Sequence, residues 1–198
     1  MKPTRMSFSS PCRKGIEVSS LRLQRRFSWG LGMCLLACPV SLNLAHASPL
    51  LLPGVKPSTQ QRLSIWGFDV YDARLWLRPG FSMTSYSAHA FVLEVSYLRS
   101  LEGEAISKRS IDEMRKVGAF SRDQESNWFK AMLDIFPNVQ KGDRLQAVNA
   151  PNVGVEFLLN DKVIGRIQDP LFAQLFFGIW LHESSSAPAL RQAWMKGL

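Results

Sequence analysis

The chain has 198 residues, 46% of them hydrophobic, which suffices for one domain with a sizeable core but not for two. Its net charge of +8 would suggest nucleic acid or an acidic surface as a partner. The first 47 residues, however, hold seven of the 24 basic residues and one of the 16 acidic ones, which leaves 17 bases against 15 acids. The remainder therefore carries a net charge of only +2, and composition gives no support for a nucleic-acid partner.

Cysteine and histidine are sparse outside this basic leader. Cys12, Cys34 and Cys38 all precede residue 48, so a domain that begins later has no disulfide, thiolate nucleophile or cysteine-bound metal. His89 and His182 lie far apart and in no spacing typical of metal ligands. We therefore expect no metal site and no cofactor.

The leader has the order of a secretory signal. Basic residues 22–26 precede an apolar run over 27–44, and Ala45-His46-Ala47 follows, which predicts cleavage after Ala47 and a periplasmic protein. A membrane anchor is the alternative, although glycine and proline interrupt the apolar run. Residues 35–38 also resemble a lipoprotein cleavage site that would leave an acylated Cys38.

Strands dominate the first half of the remaining chain. Residues 48–61 contain several prolines and predict an irregular lead-in, and the domain is expected over 62–198. Runs rich in valine, leucine and aromatic residues predict strands at 62–66, 68–78, 90–98, 144–149, 153–159 and 162–167. Asn160-Asp161 predicts the turn that joins the last two strands.

Helices are predicted between and after these strands. Ser100 is the expected cap of a helix ending at Gly118, and Ser121 with Gln124 forms a capping box for a second helix that Pro137 stops. Asp169-Pro170 opens a third helix to Leu181, and a short helix covers 187–195. Without alternation of strand and helix, this order predicts an α+β fold with a largely antiparallel sheet.

The first predicted hairpin contains the most informative polar residues. If Trp66-Gly67 forms a two-residue turn, Arg62 lies opposite Tyr71 on one face of the sheet. Alternation places Ala73 and Leu75 on that same face, which is the more apolar one and hence the expected core face. Arg62 would then lie at the edge of a hydrophobic interior.

A guanidinium in that position needs a partner, since an unpaired buried charge costs several kcal/mol. A structural ion pair with Asp69 or Glu94 is one solution. The other is an anionic ligand, because arginine offers two donors to a carboxylate and the hydroxyl of Tyr71 adds a third. Both readings remain open on spacing alone.

Three segments of the chain resemble a known superfamily. Phe68-Asp-Val-Tyr-Asp-Ala-Arg-Leu-Trp-Leu77, the helix over 105–118, and Phe176 to Leu181 with Pro188 to Arg191 resemble the chalcone isomerase-like superfamily in its bacterial exported form. The resemblance implies an open-faced β-sandwich, in which helices pack on one face of a large antiparallel sheet and a ligand cleft lies between them.

The resemblance also implies where a site would lie. Plant members close a flavanone ring and related plastid proteins bind fatty acids; their ligand-site arginine and hydroxyl residue fall on Arg62 and Tyr71. The catalytic tyrosine, lysine and asparagine of the isomerase helix fall on Glu102, Ala105 and Arg109. None is retained, which implies a protein that does not cyclise chalcone, with Glu102 and Arg109 left as possible cleft residues.

Three hypotheses follow. The leading one is an exported, non-catalytic protein that binds a small apolar or amphipathic acid, such as a fatty acid, through Arg62 and Tyr71. The second is an isomerase or lyase acting on a small enone or enolisable acid, with Tyr71 or Glu102 as general acid or base. The third is a structural or interaction protein of the cell envelope, in which Arg62 is paired internally.

Overall fold

Seven strands form one antiparallel sheet within residues 52–198, the part of the chain that the computed structural model describes. The expected signal sequence lies outside these residues. The strands are β1 (Lys56–Pro57), β2 (Gln61–Ile65), β3 (Phe68–Leu77), β4 (Phe91–Tyr97), β5 (Arg144–Ala150), β6 (Gly154–Leu159) and β7 (Lys162–Ile167). Their order in the sheet is β1-β3-β4-β5-β6-β7, and β2 also pairs with β3. The predicted antiparallel sheet is confirmed.

Within residues 52–198, four α-helices accompany the sheet. They are α1 (Gly103–Val117), α2 (Arg122–Ile135), α3 (Pro170–Leu181) and α4 (Pro188–Met195), and a short 3-10 helix spans Met83–Ala88. The buried faces of α1, α2 and α3 share one hydrophobic core with one face of the sheet. This is the predicted open-faced α+β sandwich. No helix within residues 52–198 combines the length and the apolar character that crossing a bilayer requires.

Two of the three predicted helix caps are confirmed. The Ser121 side chain accepts from the Gln124 N–H while the Gln124 side chain accepts from the Ser121 N–H, and Asp169 caps α3. The expected cap at Ser100 is wrong, because α1 begins at Gly103. Leu101 instead forms an antiparallel bridge, which keeps the backbone extended past Ser100.

The core lies between the sheet and the central helix α3. Helix α3 is buried over most of its length, as expected for a helix that is apolar on all sides. Its Phe172 and Phe176 contact Phe157 of β6 through edge-on aromatic contacts. The face predicted to be apolar is the core face, since Ala73 and Leu75 are fully buried there.

The lead-in belongs to the fold. The prediction of an irregular segment over 48–61 is wrong for Lys56–Pro57, which pair with the end of β3 as strand β1. Leu52 and Val55 pack on the other face of the sheet, against a small cluster of Trp76, Val92, Val148 and Leu158. The lead-in is ordered because this apolar cluster offers it a surface to cover.

Candidate ligand-binding cavity

A cavity of about 460 Å³ lies between the sheet and the helices α1 and α3. Its walls are mostly apolar. They include Leu63, Leu93, Val95, Leu145 and Ala147 from the sheet and Leu101, Ile106, Phe136, Phe176 and Ile179 from the helical side. A volume of this size and an apolar wall are typical of sites for small organic ligands.

The cavity opens to solvent between the β2–β3 hairpin and α1. Ser64 and Ile65 of the hairpin line the cavity and are exposed, and so are Ala105 and Arg109 of α1. These residues therefore form the rim of the opening. The 63% exposed side chain of Arg109 places a cation at this rim.

Tyr71 contributes a buried hydroxyl to the cavity wall. The indole N–H of Trp180 donates to the Tyr71 hydroxyl oxygen over 2.8 Å, which ties β3 to α3. Burial raises the pKa of Tyr71 above its ordinary value, and the charge of Glu113 adds to the rise. At neutral pH the hydroxyl therefore keeps its proton and can donate it in a hydrogen bond.

Tyr97 places a second hydroxyl on the same face. It lies directly opposite Tyr71 in the β3–β4 ladder, and the two rings meet edge to face with centroids 6.5 Å apart. Burial also raises the pKa of Tyr97. Sequence reasoning missed this residue, although its place at the end of the predicted strand 90–98 was the available signal.

Four polar side chains cluster beside the rim. The Glu113 carboxylate forms a salt bridge with Arg109 at 2.5 Å, and it accepts hydrogen bonds from Lys116 at 2.9 Å and from the Ser186 hydroxyl at 2.5 Å. Burial alone would raise the pKa of Glu113, but the hydrogen bonds from Ser186 and Lys116 and the charge of Arg109 outweigh burial and lower it. Two cations face one carboxylate, so the cluster carries one net positive charge.

Arg62 does not lie in this arrangement. The turn at Trp66-Gly67 forms as predicted, but a β-bulge between Leu63 and Ser64 shifts the register beyond it. Leu63 therefore pairs with Tyr71, and Arg62 pairs with Asp72. The predicted pairing of Arg62 with Tyr71 is wrong.

The shift by one residue carries Arg62 to the other face of the sheet. There its guanidinium bonds Asp72 at 2.7 Å and Asp69 at 2.9 Å, and its side chain is 52% exposed. The hydrogen bond that Arg62 donates to Asp72, with the charges of both acids, raises the pKa of Arg62. The structural ion pair with Asp69 that the sequence allowed is present, whereas Glu94 bonds Gln146 instead.

The two possible cleft residues, Glu102 and Arg109, lie in different environments. Arg109 lines the cavity, but Glu102 is the exposed N-cap residue of α1 and is not part of the cavity wall within residues 52–198. The reason is that α1 starts at Gly103, so Glu102 precedes the helical face that Ala105 and Arg109 share. Of the polar residues predicted for a site, Tyr71 and Arg109 are the ones the fold brings to one cavity.

Residues 52–198 contain no cluster of three side chains suited to a metal ion. His89 bonds Ser85 near the 3-10 helix, and His182 accepts from the Ser184 N–H at the end of α3. Both histidines thus have local structural partners.

An antiparallel sheet with helices on one face, and an apolar cavity between the layers, define the class of open-faced sandwich proteins with an internal site. Residues 61–195 match the sequence profile of the family described as chalcone isomerase-like. The chain belongs to this family, which confirms the resemblance drawn from the sequence.

Two known proteins illustrate the relationship. An uncharacterized protein of Haemophilus influenzae is 31% identical over 122 residues, a match that covers 61% of this chain and 58% of that protein. The chain therefore spans little more than half the length of this relative. The crystal structure of a fatty-acid binding protein of Arabidopsis thaliana superposes with a TM-score of 0.56 at 9% identity, covering 75% of this chain and 90% of that one. At this identity the likeness concerns the fold.

Proposed function

We propose that this protein is a non-catalytic, exported binder of a small amphipathic acid, fatty-acid-like in character, which it holds in the cavity between sheet and helices. The observation that carries the proposal is an apolar cavity of about 460 Å³ whose polar groups converge near one rim. A long apolar wall with few polar groups suits a ligand with a hydrocarbon tail and a single polar end.

The polar end of the cavity suits an anion. Tyr71 offers a protonated hydroxyl, and Arg109 offers a guanidinium that is always charged. Tyr71, Arg109 and Glu113 all line this cavity. A carboxylate that accepts from Arg109 and Tyr71 forms charge-assisted hydrogen bonds in a partly water-excluded place.

In this proposal Arg109, and not Arg62 as the sequence suggested, binds the anionic group of the ligand. Arg62 is paired with Asp69 and Asp72 on the other face of the sheet, away from the cavity wall. Arg109 is paired with Glu113, but Lys116 and Ser186 also bond that carboxylate. Glu113 therefore keeps two partners when Arg109 turns to a ligand.

Displacement of a fluorescent polyene fatty acid by saturated fatty acids tests the proposal. We expect Arg109→Gln to weaken binding about tenfold or more, because a hydrogen bond to a charged group contributes about 1.5–3 kcal/mol. Tyr71→Phe should weaken it a few-fold. Glu113→Gln should tighten it, since it removes the carboxylate that competes for Arg109.

Matched controls separate this site from the one first expected. Arg62→Gln should leave the affinity unchanged, and the methyl ester of the same fatty acid should bind as weakly to the wild type as the acid binds to Arg109→Gln. Loss of binding in Arg62→Gln with retention in Arg109→Gln would contradict the proposal. Failure of the wild type to bind any fatty acid at micromolar concentration would remove its basis.

Fewer side chains at the cavity support the enzyme hypothesis, which needs a general acid or base. Glu102 lies outside the cavity wall, and Tyr71 retains its proton at neutral pH, so it can act as an acid but is poorly suited as a base. Incubation with chalcone and small enones tests this alternative. Turnover that disappears in Tyr71→Phe would favour catalysis over binding.

Export is proposed from the leader alone. The order of basic, apolar and small residues before Ser48 supports cleavage after Ala47 and a periplasmic location. Mass spectrometry of the protein isolated from its host checks both points. An intact Met1 or an acylated Cys38 would contradict them.

A further inference from the structure

The apex of the β2–β3 hairpin is an exposed apolar surface. Ile65 is 39% exposed, Trp66 95% and Phe68 67%. Three large apolar side chains within four residues form a patch of a kind that marks an interaction site. The other tryptophans within residues 52–198, Trp76, Trp128, Trp180 and Trp194, are buried.

The backbone at this apex is unfavourable for the residue that occupies it. Trp66 has φ 49° and Gly67 has φ 80°, the conformation of a two-residue turn with both central residues left-handed. A bulky residue is an outlier there, and Asn-Gly is the preferred pair. The β6–β7 hairpin follows this preference, with Asn160 and Asp161 in its turn. The turn therefore does not explain why a tryptophan occupies position 66, which favours a role for its exposed indole.

The apex also adjoins the opening of the cavity. Ile65 belongs both to the exposed apex and to the cavity rim, and Arg109 stands across the opening. On the hairpin itself, Arg62 bonds both Asp69 and Asp72. An apolar apex thus leads directly to an apolar cavity, with a cation at its rim.

We propose that the hairpin apex, residues 65–68, docks on the surface of a lipid bilayer and holds the cavity opening against it. A protruding apex with an aromatic pair suits the interface of a bilayer, where tryptophan is enriched because its ring is apolar and its N–H is polar. The cluster of Arg109, Lys116 and Glu113 beside the rim carries one net positive charge, which is attracted to anionic lipid headgroups. An apolar molecule can then pass between bilayer and cavity without crossing water. The docking itself does not depend on which molecule the cavity holds.

Fluorescence of Trp66 tests the docking in the full chain. The emission of wild type minus that of Trp66→Asn reports Trp66, since every other tryptophan, including Trp29, is common to both proteins. Vesicles of phosphatidylcholine with a minority of phosphatidylglycerol, either plain or brominated in the acyl chains, are the probe. We expect the difference emission to shift to the blue on plain vesicles and to be largely lost on brominated ones.

Further variants keep the test specific. In a Phe68→Ser background the same difference emission should need about tenfold more lipid for half quenching, because a large apolar group no longer enters the interface. In a Val163→Ser background, which removes another exposed apolar residue at the far edge of the sheet, it should be unchanged. Trp66→Asn retains a favourable turn, so the reference protein keeps its fold.

Two outcomes would overturn the proposal. In the first, the difference emission in the presence of vesicles is still quenched by aqueous iodide and is not quenched by the brominated lipids. The other is protection from iodide without any lipid, which would indicate that Trp66 contacts a second copy of the chain. Fatty-acid displacement in lipid-free solution is independent of either result, so failure of the docking and failure of the proposed ligand are distinguishable.

Discussion

Val70 decides on which face of the sheet Arg62 lies. In the hairpin Ser64 pairs with Asp69 and Leu63 with Tyr71, so Val70 is the extra residue of the bulge. Because side chains alternate between faces, this one residue sends Arg62 away from the cavity and towards Asp72. The charged group at the cavity is then Arg109, which comes from a helix.

We expect Glu113 to affect how the free energy of unfolding changes in acid. Its pKa in the folded protein is lowered from 4.5, so the folded chain binds a proton there less readily than the unfolded chain. The stability from this group is therefore fully present above pH 4.5 and is lost as the pH falls through the lower folded value. We expect Glu113→Gln to cost about 1 kcal/mol at neutral pH and to show a shallower loss of unfolding free energy below pH 4.5.

Urea unfolding over a pH series measures this effect. Glu104→Gln, which changes an exposed acid of the same helix, is the control and should follow the wild type. A Glu113→Gln protein with the acid sensitivity of the wild type would show that the cluster of Arg109, Lys116 and Ser186 adds no pH-dependent stability.

At the scale of elements, the two-residue turns of the β2–β3 and β6–β7 hairpins have the same backbone but different residues. Trp66-Gly67 and Asn160-Asp161 both have two consecutive positive φ values. Asparagine and aspartate tolerate that conformation, whereas tryptophan is strained in it. The local sequence thus opposes the turn at the first hairpin, and pairing along β2 and β3 imposes it.

We expect Trp66→Asn to raise the unfolding free energy by about 1 kcal/mol, because it relieves strain at a left-handed position and leaves no core contact unfilled. Trp66→Ala is the matched control. It removes the same exposed indole but gains less, since alanine is also disfavoured at positive φ. Thermal unfolding that ranks alanine above asparagine would contradict this account.

At the scale of the molecule, the sheet is covered on both faces by different parts of the chain. Helices cover the face that contains the cavity, and Leu52 and Val55 of the lead-in cover part of the other. The lead-in also bonds the C-terminal helix, since the Trp194 indole N–H donates to the Thr59 carbonyl over 2.9 Å. The folded unit therefore begins before residue 62, where the sequence placed its start.

A chain that starts at residue 61 should be less stable than one that starts at residue 48 by about 3 kcal/mol, from lost apolar burial and lost hydrogen bonds. Denaturant unfolding of the two chains measures the difference. Thr59→Ala in the longer chain is the control, because the contact with Trp194 uses the backbone carbonyl, and it should change little. Equal stability of the two chains would show that the lead-in contributes nothing.

The sequence by itself determined the strands β2 to β7, most helix ends and the apolar core face, because periodicity, capping residues and turn residues act over a few neighbouring positions. The capping box at Ser121 and the face containing Tyr71 and Ala73 are examples. The sequence also contained the motifs that indicate the chalcone isomerase-like family. The start of α1 escaped prediction because Leu101 bridges to Val139, a residue distant in the chain.

Only the tertiary structure decided the composition of the candidate site. Tyr97 joins Tyr71 through strand pairing, Arg109 reaches the cavity through the packing of α1, and Arg62 leaves it through a bulge. Each of these placements depends on register or packing between segments far apart in sequence. Residue spacing along one segment cannot specify them, since a shift of one position reverses the face on which a side chain lies.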